Sequence, residues 1–414
     1  MPIESNPIAT PDQHEVERRA LQLLRHPLLQ RTRKEVQAHW LKAAAPSPEM
    51  RACFDWAFEE VMFGAAVWSL NQDPQRPKVV TITRLRHHLG DVEVPGSRWG
   101  IDNPDSIYRV IPIDGNERYL ISGQVAVKRL TENYFTLWDR NMNTVNLLSG
   151  HDLVFEGDRN FTITVDSDPA NGRRNHIRSA PQAHEFYIRD VILDWGTDVP
   201  NTLGIEKLGP PKTPPRSDDE QAELTAQFMR TYADNTVRWN NQALLKPVNT
   251  FNFTIDRDTE GALRSQIYIL GQFRLQDDEA LVLNVRLGGA KYFLAPITNV
   301  WGTTNDIVNR TGSLNVAQSV ANRDGTYTYV VSVRDPGVHN WVDPCAMHEG
   351  ILTLRWAEFP GKRPGPDLGV DSQVVSMAKL SATLPPATKF VTPAERQQQI
   401  AERARGYARR LLDH

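Results

Sequence analysis

The sequence predicts a mixed, mainly β protein built from β-sandwich layers, with helices at the N-terminus, in mid-chain and at the C-terminus. Three patterns support this fold class. Short runs of alternating apolar and polar residues, bounded by Gly, Asn, Asp and Pro, recur from Lys78 onward, as is typical of half-buried strands. Apolar residues follow helical spacing before, between and after these runs. A proline-rich stretch separates two groups of strands, which indicates two β-rich domains.

Residues 1–75 are predicted to form a helical N-terminal region. Apolar residues follow helical spacing over 13–40, and we expect Pro27 to kink or divide that segment because proline cannot donate a helical hydrogen bond. A second helix is predicted over about 48–70, with Ser47 as its cap. Both helices are interpreted as packing elements.

The first β-rich domain is predicted over residues 76–208. Its strands are short, rich in β-branched and aromatic residues, and separated by turn-forming clusters. Strands at this density favour a sandwich or a barrel. The predicted strands cover residues 79–85, 119–123, 134–138, 161–165 and 186–193.

A Pro-rich linker is predicted over residues 209–216, which contain four prolines and cannot form a regular element. Ser217 and Glu220 then match a capping box, so a helix is expected from there to about Leu245. This helix leads the second β-rich domain, predicted over 217–385. Segments with strand composition within that domain are 281–287, 327–333 and 351–356.

The chain is expected to close with a C-terminal helical region over residues 386–414. Thr392, Pro393 and Glu395 supply a cap, a first-turn proline and a glutamate three positions after the cap. The helix is predicted to run to Leu412. Its Arg-rich face is interpreted as solvated surface or as an oligomer contact.

Composition excludes several classes of partner. Lys and Arg number 47 against 50 Asp and Glu, for a net charge of −3, so no nucleic-acid partner is expected. The 2 cysteines, Cys53 and Cys345, lie too far apart in sequence to suggest a disulfide framework. The first ten residues lack a signal-peptide pattern, and no apolar run could span a bilayer. A cytoplasmic protein without a membrane partner is therefore expected.

Cofactor and metal motifs are missing from the sequence. There is no glycine-rich phosphate loop and no Gly-x-Ser-x-Gly elbow. His87 and His88 are adjacent and would point to opposite faces of a strand. Asp166 and Asp168 are a weak hint of calcium. We therefore expect no cofactor and no metal.

Several stretches together resemble a bacterial domain-of-unknown-function family, number 1214, which often occurs with its companion family 1254. The resemblance covers about Trp99 to Pro360. The stretches that carry it are Trp99-Gly-Ile-Asp-Asn-Pro-Asp-Ser-Ile-Tyr-Arg109, Ile188 to Trp195, Thr311-Gly-Ser-Leu-Asn315 with Gln318, Asp335-Pro-Gly-Val-His-Asn-Trp-Val-Asp343 and His348 to Trp356.

The resemblance implies a β-sandwich of jelly-roll type with helical decoration and a homo-oligomeric state. It implies no activity, because none is assigned to the family in general. One departure concerns the residues before His348, where a small residue, often Gly, is expected and Cys345-Ala346-Met347 stands instead. A bulkier turn there could reshape a neighbouring pocket.

The first stretch offers candidate acid–base groups. Asn103, Pro104 and Asp105 form a turn by composition, and the bland interpretation is a turn that only positions the next strand. In the functional interpretation Asp105 is an acid or base, Tyr108 is a proton donor and Arg109 clamps an oxygen. Asn103 would contact the substrate, and Asp102 is the alternative inward carboxylate.

The second stretch offers an Asp and His pair. Asp343 and His348 are close enough in sequence for a loop to bring them within hydrogen-bonding distance, which would make a general base near neutral pH. Asn340 and Trp341 would bind substrate, with the indole as a stacking wall. The alternative is a set of hydrogen bonds that stabilise the loop. We expect Arg355 to point into solvent, and the alternative is that it points into the site.

Three functional hypotheses follow. The first is a cofactor-independent lyase, hydratase or hydrolase that uses acid–base catalysis by Asp105, Tyr108, Asp343 and His348 on a small, rather apolar metabolite. The second is a carbohydrate or small-ligand binding module, suggested by the sandwich fold and 10 tryptophans. The third is a structural homo-oligomer whose terminal helices form the contacts.

Overall fold

The computed structural model describes residues 6–254 and 266–411. It is a mixed, mainly β fold with helices at the N-terminus, in mid-chain and at the C-terminus, as predicted. Leu412, where we predict the last helix to end, lies outside the described residues. The α-helices are α1 (Pro11–Leu23), α2 (Pro27–Ala44), α3 (Pro48–Ala52), α4 (Phe54–Leu70), α5 (Asp218–Leu244), α6 (Met377–Thr383) and α7 (Pro393–Ala408).

Local signals explain where the helices begin. Pro27 is the first residue of α2, so the predicted division of the first helical segment is confirmed. The Ser217 hydroxyl accepts the Glu220 amide and the Glu220 carboxylate accepts the Ser217 amide, which completes the predicted capping box of α5. Thr392 and Glu395 do the same for α7.

The first sandwich consists of two sheets. Sheet I has the strand order β1-β4-β10-β6-β7, and sheet II has the order β11-β5-β8-β9. A separate hairpin, β2 (His87–Leu89) with β3 (Val92–Val94), precedes β4. The sandwich strands are β1 (Val80–Thr81), β4 (Ser106–Pro112), β5 (Tyr119–Gln124), β6 (Glu132–Asp139), β7 (Thr144–Ser149), β8 (Asn160–Asp166), β9 (His176–Arg178), β10 (Ala183–Val191) and β11 (Thr202–Lys207).

The second sandwich also consists of two sheets. Sheet III has the order β12-β20-β14-β17-β18, and sheet IV has the order β13-β19-β15-β16. Its strands are β12 (Phe253–Thr254), β13 (Gln266–Arg274), β14 (Glu279–Arg286), β15 (Tyr292–Thr298), β16 (Ser313–Asn315), β17 (Tyr327–Ser332), β18 (Trp341–Val342), β19 (Glu349–Ala357) and β20 (Gly369–Ser376).

The two sandwiches have the same topology. If nine is added to each strand number, the order β4-β10-β6-β7 in sheet I becomes β13-β19-β15-β16, the order of sheet IV. In the same way β11-β5-β8-β9 in sheet II becomes β20-β14-β17-β18, which is found in sheet III. Even the parallel pairing is repeated, because β8 pairs parallel with β9 and β17 pairs parallel with β18. The fold is therefore an internal duplication, which the sequence did not reveal to us.

Each sandwich has its own apolar core between its sheets. In the first, Phe135 of sheet I packs edge-on against Phe161 of sheet II, with ring centroids 5.9 Å apart. In the second, Phe293 of sheet IV packs 5.4 Å from Tyr329 of sheet III and 4.9 Å from Trp356. Alternation along each strand sends the intervening residues to the opposite face.

The outer faces of sheets I and IV are turned towards each other. Val191 of β10 packs with Tyr292 and Ala357 of sheet IV at one end of this contact. Nearby, the Gln266 amide donates to the Glu132 carboxylate at 2.7 Å. Equivalent sheets of the duplicated sandwiches therefore form the interface.

Helices α1, α2, α4 and α5 share an apolar core with Val80 and Val110 of sheet I and with Trp301 of the second sandwich. Trp301, in the loop after β15, packs 5.5 Å from Trp40 of α2 and 4.6 Å from Phe54 of α4, and its indole donates to the Met50 carbonyl at 2.8 Å. Among the helices of the described ranges, none has the length and apolar character needed to cross a bilayer.

One predicted strand is much shorter than expected. Only Val80–Thr81 of the predicted strand 79–85 pairs in sheet I. The Arg84 amide instead donates to the Ser97 hydroxyl, and the Ser97 amide donates to the Arg84 carbonyl. The Arg84 side chain pairs with buried Glu17 at 2.9 Å. These contacts draw residues after Ile82 away from the sheet.

Candidate functional site

The Asn-Pro-Asp turn lies buried at the junction of the two sandwiches. Asp105 Oδ1 accepts from Trp195 Nε1 at 2.7 Å and Asn315 Nδ2 at 3.0 Å, and its Oδ2 accepts from the Tyr292 hydroxyl at 3.0 Å. Asn103 bonds both the Asp105 amide and Tyr292. Burial raises the pKa of Asp105 despite these donors. Both predicted site residues are thus engaged in joining the sandwiches.

Arg109 does not share a cavity with Asp105 and Tyr108, contrary to our prediction. It forms a buried ion pair with Asp190 inside the first sandwich, and its Nη1 donates to the Asn201 carbonyl at 2.6 Å. Successive residues of a strand point to opposite faces, so Tyr108 and Arg109 cannot face the same site. The alternative carboxylate, Asp102, accepts from the Thr304 amide at 2.7 Å and is also buried.

Tyr108 and Arg355 lie in the gap between sheets I and IV. Tyr108 is buried, and its ring lies 5.1 Å from that of Tyr187. Arg355 is only 9% exposed, so the assumption that it points into solvent is wrong. Burial lowers the pKa of Arg355, but the neighbouring tyrosines and the Asp102 carboxylate outweigh that effect and leave it raised. The structure thus brings together two predicted site residues from different stretches.

Asp343 and His348 do not form the predicted pair. His348 Nδ1 lies 2.9 Å from a Glu49 carboxylate oxygen and Nε2 lies 3.0 Å from Asp277, and these two contacts raise its pKa. Asp343 instead accepts the Cys345 amide at 2.8 Å and lies 3.4 Å from Arg310. His348 therefore pairs with the carboxylates of Glu49 and Asp277, from distant segments, and not with Asp343. Sequence spacing alone could not reveal these partners.

Asn340 and Trp341 stabilise the loop that contains them. Asn340 Nδ2 donates to the Val320 and Thr328 carbonyls at 2.8 and 3.0 Å, and its oxygen accepts the Val320 amide. The Trp341 indole is buried, donates to the Ser332 carbonyl at 2.9 Å and lies beneath the Arg396 guanidinium. The predicted stacking wall is therefore covered by the protein itself.

The turn before His348 explains the small residue expected there. Cys345 and Ala346 have φ of +60° and +64°, a left-handed backbone that costs a residue with a Cβ roughly 1–2 kcal/mol and that Gly adopts freely. Two residues with a Cβ therefore adopt a backbone conformation that glycine would adopt at lower cost.

The calcium hint at Asp166 and Asp168 has another explanation. Arg173 binds both oxygens of Asp166, at 2.6 and 3.0 Å, and Arg118 pairs with Asp168 at 2.7 Å. Within residues 6–254 and 266–411 no cluster of three or more His, Cys, Asp or Glu side chains could hold a metal ion.

A large cavity lies elsewhere, between α4, α5 and the end of sheet I. Its volume is about 830 Å³, within the range typical of small-molecule sites. None of the nine predicted site residues lines it. Its walls are aromatic on the helical side and polar at the rim, and the lining includes Trp68, Trp99, Arg140, Glu185, Phe228 and Tyr232.

Glu185 of β10 is the buried carboxyl group of this cavity. The side chain is 6% exposed. Its Oε2 accepts from Trp68 Nε1 at 2.9 Å and from Gln72 Nε2 at 2.8 Å, whereas Oε1 has no hydrogen-bond partner in the described part of the chain. Burial raises the pKa of Glu185 and outweighs these two donors. One oxygen is thus fixed, and the other remains available.

Tyr232 of α5 is a second polar group without a partner. Its ring stacks on Trp99 with centroids 3.7 Å apart and an interplanar angle of 10°, while its buried hydroxyl makes no hydrogen bond within the described ranges. Burial and the nearby Glu185 and Tyr187 raise the pKa of Tyr232 well above its ordinary value. A buried hydroxyl without a partner costs free energy unless a ligand or water satisfies it.

The cavity rim adds a cation and a neutral imidazole. Arg140 is exposed and forms no ion pair within the described residues. Burial, together with Arg140, lowers the pKa of His184 to about 4, so this imidazole is neutral at neutral pH. An anionic group of a ligand could approach Arg140 without displacing an existing partner.

Sequence reasoning missed this site for a clear reason. Trp68 and Tyr232 lie in predicted helices to which we assigned no functional role, and Glu185 lies just before the predicted strand 186–193. The useful signal was that Glu185 and Tyr187 alternate onto the same strand face. A face that carries both a charged and an aromatic residue is either covered by another element or binds a ligand. The sequence did not show what covers it.

The fold is similar to that of an uncharacterised protein from Burkholderia cenocepacia, with a TM-score of 0.72 and 22% identity over 87% of this chain and 99% of that one. At this identity the likeness shows the fold alone. The VPA0106 protein from Vibrio parahaemolyticus matches at a TM-score of 0.43 and 11% identity, over 67% and 90% of the two chains. No family model and no curated protein matches, so the resemblance to families 1214 and 1254 stays a prediction.

Proposed function

We propose that this protein is an enzyme that transfers a proton to or from a small, partly apolar molecule bound in the cavity between α4, α5 and sheet I. The observation that carries the proposal is Glu185. Its carboxyl group is buried in the wall of an 830 Å³ cavity, with one oxygen held by Trp68 and Gln72 and the other without a partner.

The environment of Glu185 suits general acid–base catalysis. A raised carboxyl pKa brings a group closer to the operating pH, at which proton transfer in both directions is efficient. The two donors hold the carboxyl in one orientation, which favours a defined line of attack on a bound molecule. The hydroxyl of Tyr232 is a second donor, suited to a developing negative charge.

The lining indicates the class of substrate. Trp99, Phe228 and Tyr232 offer flat apolar surface, which favours a planar or aromatic body. Arg140 at the rim suits a carboxylate or another anionic group of the same molecule. Elimination, hydration and hydrolysis all require a proton transfer of the kind proposed for Glu185. The enzyme is therefore proposed to be a lyase, hydratase or hydrolase without an organic cofactor.

The variant Glu185→Gln tests the proposal. A glutamine oxygen can still accept from Trp68 and Gln72, so the fold and the ligand contacts are kept while proton transfer is lost. We would incubate the wild-type protein and the variant with a panel of aromatic and hydroxylated carboxylic acids and follow turnover by mass spectrometry and binding by thermal shift. The control is His348→Ala, a change far from the cavity in an ion-pair contact.

The expected result is turnover by the wild type and His348→Ala, and a loss of about 10²–10⁴-fold in Glu185→Gln with binding retained, which is the usual contribution of general acid–base catalysis. Equal turnover in wild type and Glu185→Gln would refute the role of Glu185.

A small-ligand binding module is the second candidate, favoured by the aromatic wall itself. The stacked pair of Trp99 and Tyr232 needs no catalytic group to hold a flat ligand. Binding by the wild type without turnover, kept in Glu185→Gln and lost in Phe228→Ala, would support this function instead.

A homo-oligomeric state remains a prediction, which sedimentation velocity would test.

A further inference from the structure

The duplication places the same pair of residues in both facing sheets. In sheet I, Tyr108 of β4 is registered with Arg189 of β10. In sheet IV, the equivalent strands β13 and β19 register Tyr268 with Arg355. All four side chains lie on the outer faces, so the gap between the sandwiches contains two Tyr–Arg pairs related by the duplication.

The two arginines of these pairs have different partners. Arg189 Nε lies 2.5 Å from Glu132 Oε1, and its Nη1 donates to the Tyr268 hydroxyl at 3.4 Å, so its charge is balanced. Within residues 6–254 and 266–411, Arg355 donates only to the Ile101 carbonyl, and its guanidinium lies 5.4 Å from the Tyr268 ring centroid. Arg355 Nε is buried without a partner.

Among the described residues no carboxylate lies within ion-pair distance of Arg355, and Asp102 and Glu132 act on its charge from further away. Both carboxylates have other partners, since Asp102 accepts from Thr304 and Glu132 pairs with Arg189. A guanidinium that is nine-tenths buried without an ion pair is costly. An anion that enters the gap would recover part of that cost.

The gap also offers neutral donors and an entrance. The hydroxyls of Tyr108 and Tyr187 make no hydrogen bond to any described residue, and their rings lie 5.1 Å apart on sheet I. Tyr268, on the other side, is 43% exposed, so the gap that is closed around Val191 opens to solvent here. Aromatic rings and hydroxyls thus surround the unbalanced guanidinium.

We propose that this gap binds the carboxylate group of a small organic acid, with Arg355 as its charged ligand and Tyr108 as a hydroxyl donor. One unbalanced cation matches a singly charged carboxylate better than a doubly charged phosphate, because the charge of Arg189 is already used by Glu132. The site adjoins the Glu185 cavity through Tyr187, whose ring packs against Tyr108 and also against Trp68 of the cavity wall, but its charged ligand lies away from Glu185. Glu185 and Arg189 are four residues apart on β10, about 13 Å along the strand.

Benzoate is the probe for the test, with inorganic phosphate as the comparison. Calorimetric titration of the full chain would compare the wild type with Arg355→Met and Tyr108→Phe. The matched control is Arg274→Met, which removes an exposed arginine from the same sheet. Phe228→Ala, which removes part of the aromatic wall of the catalytic cavity, is included to separate the two sites.

We expect the wild type to bind benzoate more tightly than phosphate, with binding weakened about tenfold or more in Arg355→Met and about threefold to tenfold in Tyr108→Phe, as charged and neutral hydrogen bonds contribute. Arg274→Met and Phe228→Ala should bind benzoate at this site as the wild type does. Tyr108→Phe keeps the ring and tests the site even if Arg355→Met fails to fold. Absent benzoate binding, tighter phosphate binding, or unchanged binding in both gap variants would overturn the proposal.

Discussion

Replacing Arg109 by Met distinguishes a structural ion pair from the substrate clamp that its sequence context suggests. The guanidinium and the Asp190 carboxylate are both buried and are in direct contact. Without Arg109, Asp190 keeps only the Asn133 amide, at 2.5 Å, and the Asn201 backbone amide, at 3.1 Å. These neutral donors cannot balance a buried charge.

The expected loss follows from the broken pair. Removing one partner of a buried ion pair typically costs about 3–5 kcal/mol. For domains of this size about 1 kcal/mol corresponds to roughly 2–4 °C, so we expect the unfolding temperature of the first sandwich to fall by about 6–20 °C. The loss should shrink as the pH is lowered, because burial already raises the pKa of Asp190 and protonation removes the unbalanced charge.

Differential scanning calorimetry at several pH values would measure this loss. The control is Arg118→Met, which breaks the exposed pair with Asp168 in the same sandwich and should cost less than about 1 kcal/mol. The double variant Arg109→Met with Asp190→Leu should recover most of the stability, because both charges are then gone. A shift in Arg109→Met no larger than the control would refute the structural role of this pair.

Two further predictions concern pH. The pKa of Glu185 is raised in the folded protein. The wild type should therefore lose stability relative to Glu185→Gln as the pH rises from the ordinary carboxyl range through the folded-state pKa. An unfolding-temperature difference between the two proteins that does not change from pH 5 to 8 would contradict this. The raised pKa of His348 means that its contacts with Glu49 and Asp277 stabilise the fold below its ordinary pKa and lose that effect as the pH rises through the raised value. The unfolding temperature of His348→Gln should therefore lie further below that of the wild type at pH 5.5 than at pH 8.5, and the opposite trend would disprove the role of these contacts.

Three of the five resemblance stretches meet at one buried junction. Asp105, Trp195 and Asn315 come from three of them and meet in the hydrogen bonds around the Asp105 carboxylate. Arg403 of α7 closes this junction by binding the Ile307 carbonyl and lying 4.4 Å from the Trp195 ring centroid. A polar motif in sequence can thus serve an interface between sandwiches, where satisfied hydrogen bonds hold two sheets in register.

Local chemistry made the helix boundaries and many strands predictable. Pro27, Ser217 and Thr392 act within a few residues of themselves, by blocking or accepting hydrogen bonds of their own turn. The strands β5, β8 and β14 were visible because alternation between a core and a second face leaves a period of two. These features depend on contacts short in sequence.

Tertiary structure alone decided which polar residues are free and which are satisfied. His348 finds Glu49, 299 residues away, and Arg109 finds Asp190, 81 residues away, whereas Glu185 and Arg355 keep unfilled hydrogen-bonding capacity. The duplication was equally hidden, because strand order is set by pairing between distant segments. The sequence by itself determined the elements and their faces, and only the packing of those faces decided where a ligand could bind, since burial and pairing are properties of the assembled chain.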